Sequence, residues 1–167
     1  MLGYIYGDVL FSDGTQAIVL TNSGVGYEMH FNGILAEGQK LGLYVSQVIR
    51  ENAHDLYGFK DLKEKKFFEL LLKVNGVGPK SAYALIGSLG FEPLKHSIMM
   101  EDKKTLKKAP GIGEKAASQV ILDLKIGDCS FDNSAEQLEH GHAMIGMGRS
   151  AGGNHPPEVP GGDSVDA

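Results

Sequence analysis

Residues 26–31 alternate in polarity. Tyr27, Met29 and Phe31 fall on one side of a two-residue period, and Gly26, Glu28 and His30 on the other. That alternation predicts a half-buried strand. Similar segments fill the first 59 residues. Tyr4, Tyr6, Val9 and Phe11 precede a turn at Ser12-Asp13-Gly14, and Ala17-Ile18-Val19-Leu20 precede another at Asn22-Ser23-Gly24. Leu41–Ile49 and Leu56–Phe59 complete the set. Five short strands with glycine turns fit a small closed barrel of OB type, and a small β-sandwich is the alternative the pattern leaves open. The period then changes. Phe67, Leu70, Leu71 and Val74 recur at i, i+3, i+4, i+7. Ala82, Leu85, Ile86 and Leu89 repeat that stripe, with Gly90 as its stop. Phe91, Leu94 and Ile98 start a short helix, and Glu101-Asp102 and Lys107-Lys108 sit early and late in the next segment, as the helix dipole favours. Ala116, Ala117, Val120, Ile121 and Leu124 form the last stripe. The expected fold is α+β: a β-barrel over residues 1–62, then an all-helical domain over 63–127. Short helices bury little area alone, so they are expected to pack on the barrel or on neighbouring subunits. Residues 128–167, rich in Gly, Ser, Asn, Asp and Glu, are expected to form a disordered acidic tail.

The helical half contains a repeat. Val-Asn-Gly-Val-Gly-Pro-Lys-Ser-Ala at 74–82 is answered 35 positions later by Ala-Pro-Gly-Ile-Gly-Glu-Lys-Ala-Ala at 109–117. Gly76 matches Gly111, Gly78 matches Gly113, Lys80 matches Lys115 and Ala82 matches Ala117. Gly-apolar-Gly predicts a tight turn between two helices, where at least one residue needs positive φ. A helix opens after the second glycine, and Pro79 suits its first position because no N–H is needed there. A turn of this kind presents free amides, the positive end of a helix dipole and a lysine, which together suit a phosphate. The backbone N–H groups of Gly76, Val77 and Gly78, and of Gly111, Ile112 and Gly113, are the expected donors, with Lys80 and Lys115 as charges. No set of Arg, Asn or Gln stands out on a helix face to read bases, so recognition of shape is expected rather than of sequence.

Both stretches resemble helix-hairpin-helix motifs. With their flanks they resemble the bacterial RuvA family of Holliday-junction proteins. The matching segments are Met1-Leu2-Gly3, Gly24-Val25-Gly26-Tyr27-Glu28, Arg50-Glu51-Asn52-Ala53, Leu56-Tyr57-Gly58-Phe59, Asn75-Gly76-Val77-Gly78-Pro79-Lys80 and Pro110-Gly111-Ile112-Gly113. They fall in family order across residues 1–127. The resemblance favours the OB barrel over the sandwich. It implies a DNA-binding scaffold without catalytic activity or cofactor, assembled as a homotetramer or as an octamer of two rings. It further implies four-way junction DNA as ligand, the RuvB-like AAA+ ATPase as the motor partner and the RuvC resolvase as a further partner. The turn at Arg50–Asp55 resembles the family's acidic pin, two adjacent carboxylates that repel phosphates at the centre of the assembly. Glu51 keeps the first acid, Asn52 replaces the second, and Asp55 is expected to compensate from within the turn. Glu114 also departs from the family, which carries a basic or neutral residue there. Residues 128–167 lack the three-helix pattern of the family's motor-binding domain, so the resemblance is expected to stop near residue 127.

Net charge changes the picture only when it is divided. The whole chain carries −5, which looks wrong for a DNA binder. Residues 60–127, however, hold 13 basic and 8 acidic side chains, while 1–59 hold 2 and 6 and 128–167 hold 1 and 7. The positive charge sits with the glycine repeat, where it can steer phosphate. Lys103, Lys104, Lys107 and Lys108 can extend that surface or form a solvated face. The lone Cys129 excludes a disulfide framework, no phosphate-binding Gly-x-x-x-x-Gly-Lys-Ser/Thr sequence is present, and no apolar run is long enough to span a membrane. A cytoplasmic location is the expectation. His140, His142 and His155 lie in the tail without an orienting set of partners, and no metal site is expected. Two other functions compete. Some helix-hairpin-helix glycosylase/lyases use a lysine at the Lys115 position as a Schiff-base nucleophile. A generic structure-specific DNA-binding module is the other.

Overall fold

The computed structural model describes residues 1–127, which fall within one compact unit. Five strands come first: β1 Tyr4–Ser12, β2 Gly14–Leu20, β3 Gly26–Gly33, β4 Lys40–Arg50 and β5 Ala53–Phe59. Five helices follow: α1 Leu62–Leu71, α2 Pro79–Leu89, α3 Phe91–Met99, α4 Lys103–Leu106 and α5 Glu114–Gly127. The α+β order is the one the periodicity predicts.

The strands close into a barrel in the order β1-β2-β3-β5-β4. Four pairings are antiparallel, and β4 also returns to β1 through Tyr4↔Tyr44 to Asp8↔Lys40. The parallel β3–β5 seam rests on a single pairing, His30↔Tyr57. Along β3 the buried positions are Met29 and Phe31, as the alternation requires. Together with Ile5, Val9, Val19 and Leu43 they fill the barrel interior.

A second core binds the helices to the barrel. Tyr57 and Phe59 at the end of β5 belong to it, beside Phe68, Leu71, Leu85, Leu94, Leu106 and Val120 from the five helices. The rings of Tyr57, Phe59 and Tyr83 lie 5.0–6.1 Å from that of Phe68, within the range of favourable edge and tilted contacts. Tyr83 on α2 is the polar fastener. Its hydroxyl lies 2.8 Å from the Gly58 carbonyl and 3.0 Å from that of His30, and it accepts from the Asn32 amide at 3.1 Å. These bonds reach both strands of the β3–β5 seam, where ladder bonds are fewest.

Two boundaries differ from the periodic pattern. The stripe through Val74 predicts a helix reaching that residue, but α1 ends at Leu71 with Leu72 as its cap. Val74 sits in the following turn and is buried, so its apolar character serves the turn and not the helix. The segment from Glu101 to Lys108 holds only one turn of helix, begun by Asp102, whose carboxylate accepts from the Thr105 amide and hydroxyl.

Candidate nucleic-acid interface

The 35-residue repeat is a repeat of structure. In the first hairpin the Val74 amide donates to Leu71 at 3.1 Å, Val77 to Val74 at 3.2 Å and Ala82 to Gly78 at 2.9 Å. In the second, Ala109 donates to Leu106 at 3.2 Å, Ile112 to Ala109 at 3.3 Å and Ala117 to Gly113 at 3.0 Å. Gly76 and Gly111 have φ of 86° and 81°. A left-handed residue reverses the chain there, and glycine takes that conformation without steric penalty. Val77 and Ile112 turn their side chains into the core, while the glycines on either side stay at the surface. Each elbow is therefore pinned by one apolar plug between two bare glycines.

This arrangement corrects part of the expected donor set. The amides of Val77 and Ile112 are engaged inside their own turns, donating to the Val74 and Ala109 carbonyls. Those of Gly76, Gly78, Gly111 and Gly113 make no backbone hydrogen bond among the described residues. Beyond them α2 opens at Pro79 with no side-chain cap, and its first intrahelical donor is Ala82. The N–H groups of Lys80 and Ser81 are left as orphans of the first turn. Lys80 and Lys115 are exposed and form no ion pair among the described residues. Lys115 stands exposed on the first turn of α5, outside any enclosed apolar pocket of the kind a Schiff-base lysine works in, which disfavours the lyase reading.

Gly78 and Gly113 carry a separate message. Neither has positive φ, and Gly78 at φ −85° and ψ 169° is in extended geometry open to any residue. A Cβ at either position would meet nothing within 4 Å. The fold does not require glycine there. An outside group that must approach the backbone closely would require it.

The two elbows are neighbours. The Ser81 hydroxyl donates to the Gly111 carbonyl at 3.4 Å, so the first turn of α2 abuts the second elbow. The second elbow carries a charge pair at its rim, with Lys107 Nζ 2.6 Å from Glu114 Oε2. The Lys107 ammonium holds the Glu114 carboxyl below the usual range. Lys103, Lys104 and Lys108 are exposed nearby in sequence.

The β4–β5 hairpin turns through Glu51 and Asn52, closed by the Arg50↔Ala53 pairing, and both tip residues are exposed. Asp55 is not in the turn. It lies on β5 opposite Val48, two pairings below Arg50↔Ala53, with its carboxylate 3.6 Å from His30 Nε2. The strand register and this histidine place it away from the tip, so it does not stand beside Glu51 as the turn reading expects. The sequence held a signal for this: Asp55 is flanked by His54 and Leu56-Tyr57 in a continuing strand pattern. Tyr83 was missed as well, because a tyrosine on a helical stripe reads as ordinary core.

Among the described residues, no cluster of His, Cys, Asp and Glu could hold a metal ion, and no helix is long and apolar enough to cross a membrane. The tail histidines, Cys129 and the expected disordered tail at 128–167 lie outside the described residues.

Comparison with known proteins agrees with this geometry. The profile of the RuvA N terminal domain matches residues 1–58, and that of the SAM-like Helix-hairpin-helix tandem matches residues 68–125. The Holliday junction branch migration complex subunit RuvA of Acinetobacter baumannii (strain SDF) is 43% identical over 129 residues, 75% of this chain and 64% of that protein. The chain thus spans just under two thirds of that relative's length. The same-named subunits of Campylobacter lari and Campylobacter concisus are 34% and 39% identical, over 88% and 84% of this chain and 81% and 78% of theirs. Matches of that extent run past residue 127, further than the resemblance read from motifs alone. With both profiles in order and two relatives covered over more than two thirds of their length, the chain belongs to the RuvA family.

Proposed function

We propose that this chain is a non-enzymatic DNA-binding scaffold that recognises four-way (Holliday) junctions by shape and phosphate contact, holds them open and supports branch migration in recombination and repair. The observation that carries the reading is the pair of equivalent elbows, each with a surface glycine that the fold itself does not need. A sugar-phosphate strand lying against Gly78 and Gly113 is what a side chain there would block. The amides of Gly76, Gly78, Gly111 and Gly113, the first-turn amides of α2, and Lys80 and Lys115 supply the contacts. The plugs Val77 and Ile112 hold the shape. Phosphate contacts carry no sequence information, so four arms of any sequence are accepted.

A fourfold ring matches a four-armed ligand, and closed symmetry is the rule for homo-oligomers. Tyr4, Tyr6, Leu10 and Phe11 stand exposed on β1, an apolar surface that assembly of a homotetramer, or an octamer of two rings, would cover. Glu51 at the β4–β5 tip gives each subunit one carboxylate to set against phosphates at the crossover. The relatives' name describes a branch migration complex subunit. By that likeness the work of moving arms falls to a RuvB-like ATPase, RuvC acts on the same junction, and the location is cytoplasmic.

The test is competition binding. An immobile four-way junction and a linear duplex of the same arm sequence are titrated at several salt concentrations. A strong preference for the junction, unchanged when arm sequences are permuted, is expected. Six to ten phosphate contacts would cost roughly 10³–10⁵ in affinity between about 50 and 200 mM salt. Equal affinity for both DNAs favours the generic module. Borohydride trapping of Lys115 on abasic DNA would revive the lyase.

A further inference from the structure

The second elbow carries an ion pair with no counterpart in the first. Counting back 35 positions, Lys108 and Lys115 correspond to Lys73 and Lys80, so both elbows share two lysines. Lys107 and Glu114, however, correspond to Leu72 and Pro79. Lys107 caps α4 and Glu114 opens α5, so their 2.6 Å contact spans the turn that holds Gly111 and Gly113. Both side chains are exposed, at 44% and 64%.

The surroundings of this pair are uneven. It borders an open concavity of about 410 Å³ lined by Glu101, Asp102, Lys103, Lys104, Lys107 and Glu114. Two of the three acids have their side-chain hydrogen-bond partners elsewhere, Glu101 in Lys125 and Asp102 in Thr105. Glu114 alone is paired to a lysine of the concavity. A carboxylate in the first turn of a helix also occupies the electrostatic position that suits a phosphate, and it meets an incoming phosphate as a like charge. Pro79 at the equivalent place brings neither charge nor donor. An exposed ion pair is weak, so a phosphate can take the ammonium from the carboxylate.

We propose that Lys107 is a latent phosphate contact held by Glu114, and that this pair makes the second elbow the weaker, salt-adjustable grip on DNA while the first is constitutive. The proposal rests on the phosphate-binding reading of the elbows. Removing the carboxylate releases Lys107 to the backbone. Removing Lys107 alone leaves Glu114 facing the phosphates without a partner.

The experiment measures junction affinity and its salt slope for full-length variants, using an immobile four-way DNA junction as the probe. Glu114→Gln is expected to tighten binding about 3- to 10-fold near 100 mM salt and to steepen the slope of log affinity against log salt by about 0.9, the increment for neutralising one more phosphate. Lys107→Ala weakens binding by a similar factor, and Lys107→Leu with Glu114→Pro, which copies the first elbow, binds more tightly than the parent without the steeper slope of Glu114→Gln. Asp123→Asn removes the same charge from the same helix at a side chain engaged by Gln119, and changes affinity less than about twofold. Equal effects of Glu114→Gln and Asp123→Asn, or an unchanged slope in Glu114→Gln, overturn the proposal and leave the elbow reading intact. Unchanged affinity in Lys80→Ala with Lys115→Ala overturns the elbow reading, and this proposal with it.

Discussion

Four glycines in the two elbows are alike in sequence and unlike in purpose. Gly76 and Gly111 are held at positive φ, so alanine at Gly76 costs about 1–2 kcal/mol of stability, as a denaturant titration would register. At Gly111 the new Cβ also meets Ser81 Oγ at 2.6 Å, a side-chain atom that can rotate away but loses its bond to the Gly111 carbonyl. Gly78→Ala and Gly113→Ala are expected to leave stability within about 0.5 kcal/mol and to weaken junction binding, since their Cβ atoms enter space the protein leaves empty. Thermal denaturation and junction titration of the same samples separate the two effects. Tyr83 is a residue of another kind. Its hydroxyl serves three backbone groups of the barrel seam, and Tyr83→Phe should cost about 1–3 kcal/mol. Burial pushes its phenol well above the ordinary 10.0, with the Asn32 amide opposing. A raised folded value gives stability that is complete below the unfolded pKa and is lost as pH rises through the folded one. Denaturation midpoints should therefore decline above about pH 10, and decline less in Tyr83→Phe.

Elements were legible to the degree that their burial was one-sided. The strand alternation in β3 and the stripes of α2 and α5 announce their faces because one side of each meets a core. The end of α1 was not legible: Val74 continues the apolar period although the backbone has left the helix, because the turn leading to the elbow buries an apolar side chain as well. Asp55 was misplaced for a related reason. A turn's extent is set by which residues pair across it, and the Arg50↔Ala53 register fixes a two-residue tip that composition alone does not reveal. The engaged amides of Val77 and Ile112 belong to the same class, since a hydrogen bond inside a turn depends on φ and ψ. At this scale the joint between barrel and helices is the sensitive point. Phe68 on α1 lies among Tyr57, Phe59 and Tyr83, fully buried, and Phe68→Ala should cost about 3–5 kcal/mol. Because that ring touches both parts, fluorescence from the barrel and circular dichroism from the helices should lose their signals in one shared transition.

The whole molecule divides its charge where its functions divide. The helical residues carry the excess of lysine, and the barrel carries a net negative charge that includes the exposed Glu51 tip. The whole-chain value hides this, which is why family and fold were plain in the motifs while the polarity of the surface needed the chain to be split. What lay beyond the sequence was the contact of one elbow with the other through Ser81 and Gly111, and the pairing of Lys107 with Glu114. The most direct measurement is the salt dependence of four-way junction affinity for the parent chain and for Lys80→Ala with Lys115→Ala. The account predicts a steep parent slope and, in the variant, weaker binding with a slope shallower by about 2, one counterion term for each lysine. Superimposable lines would contradict it, for the elbows would then not be where this protein touches DNA.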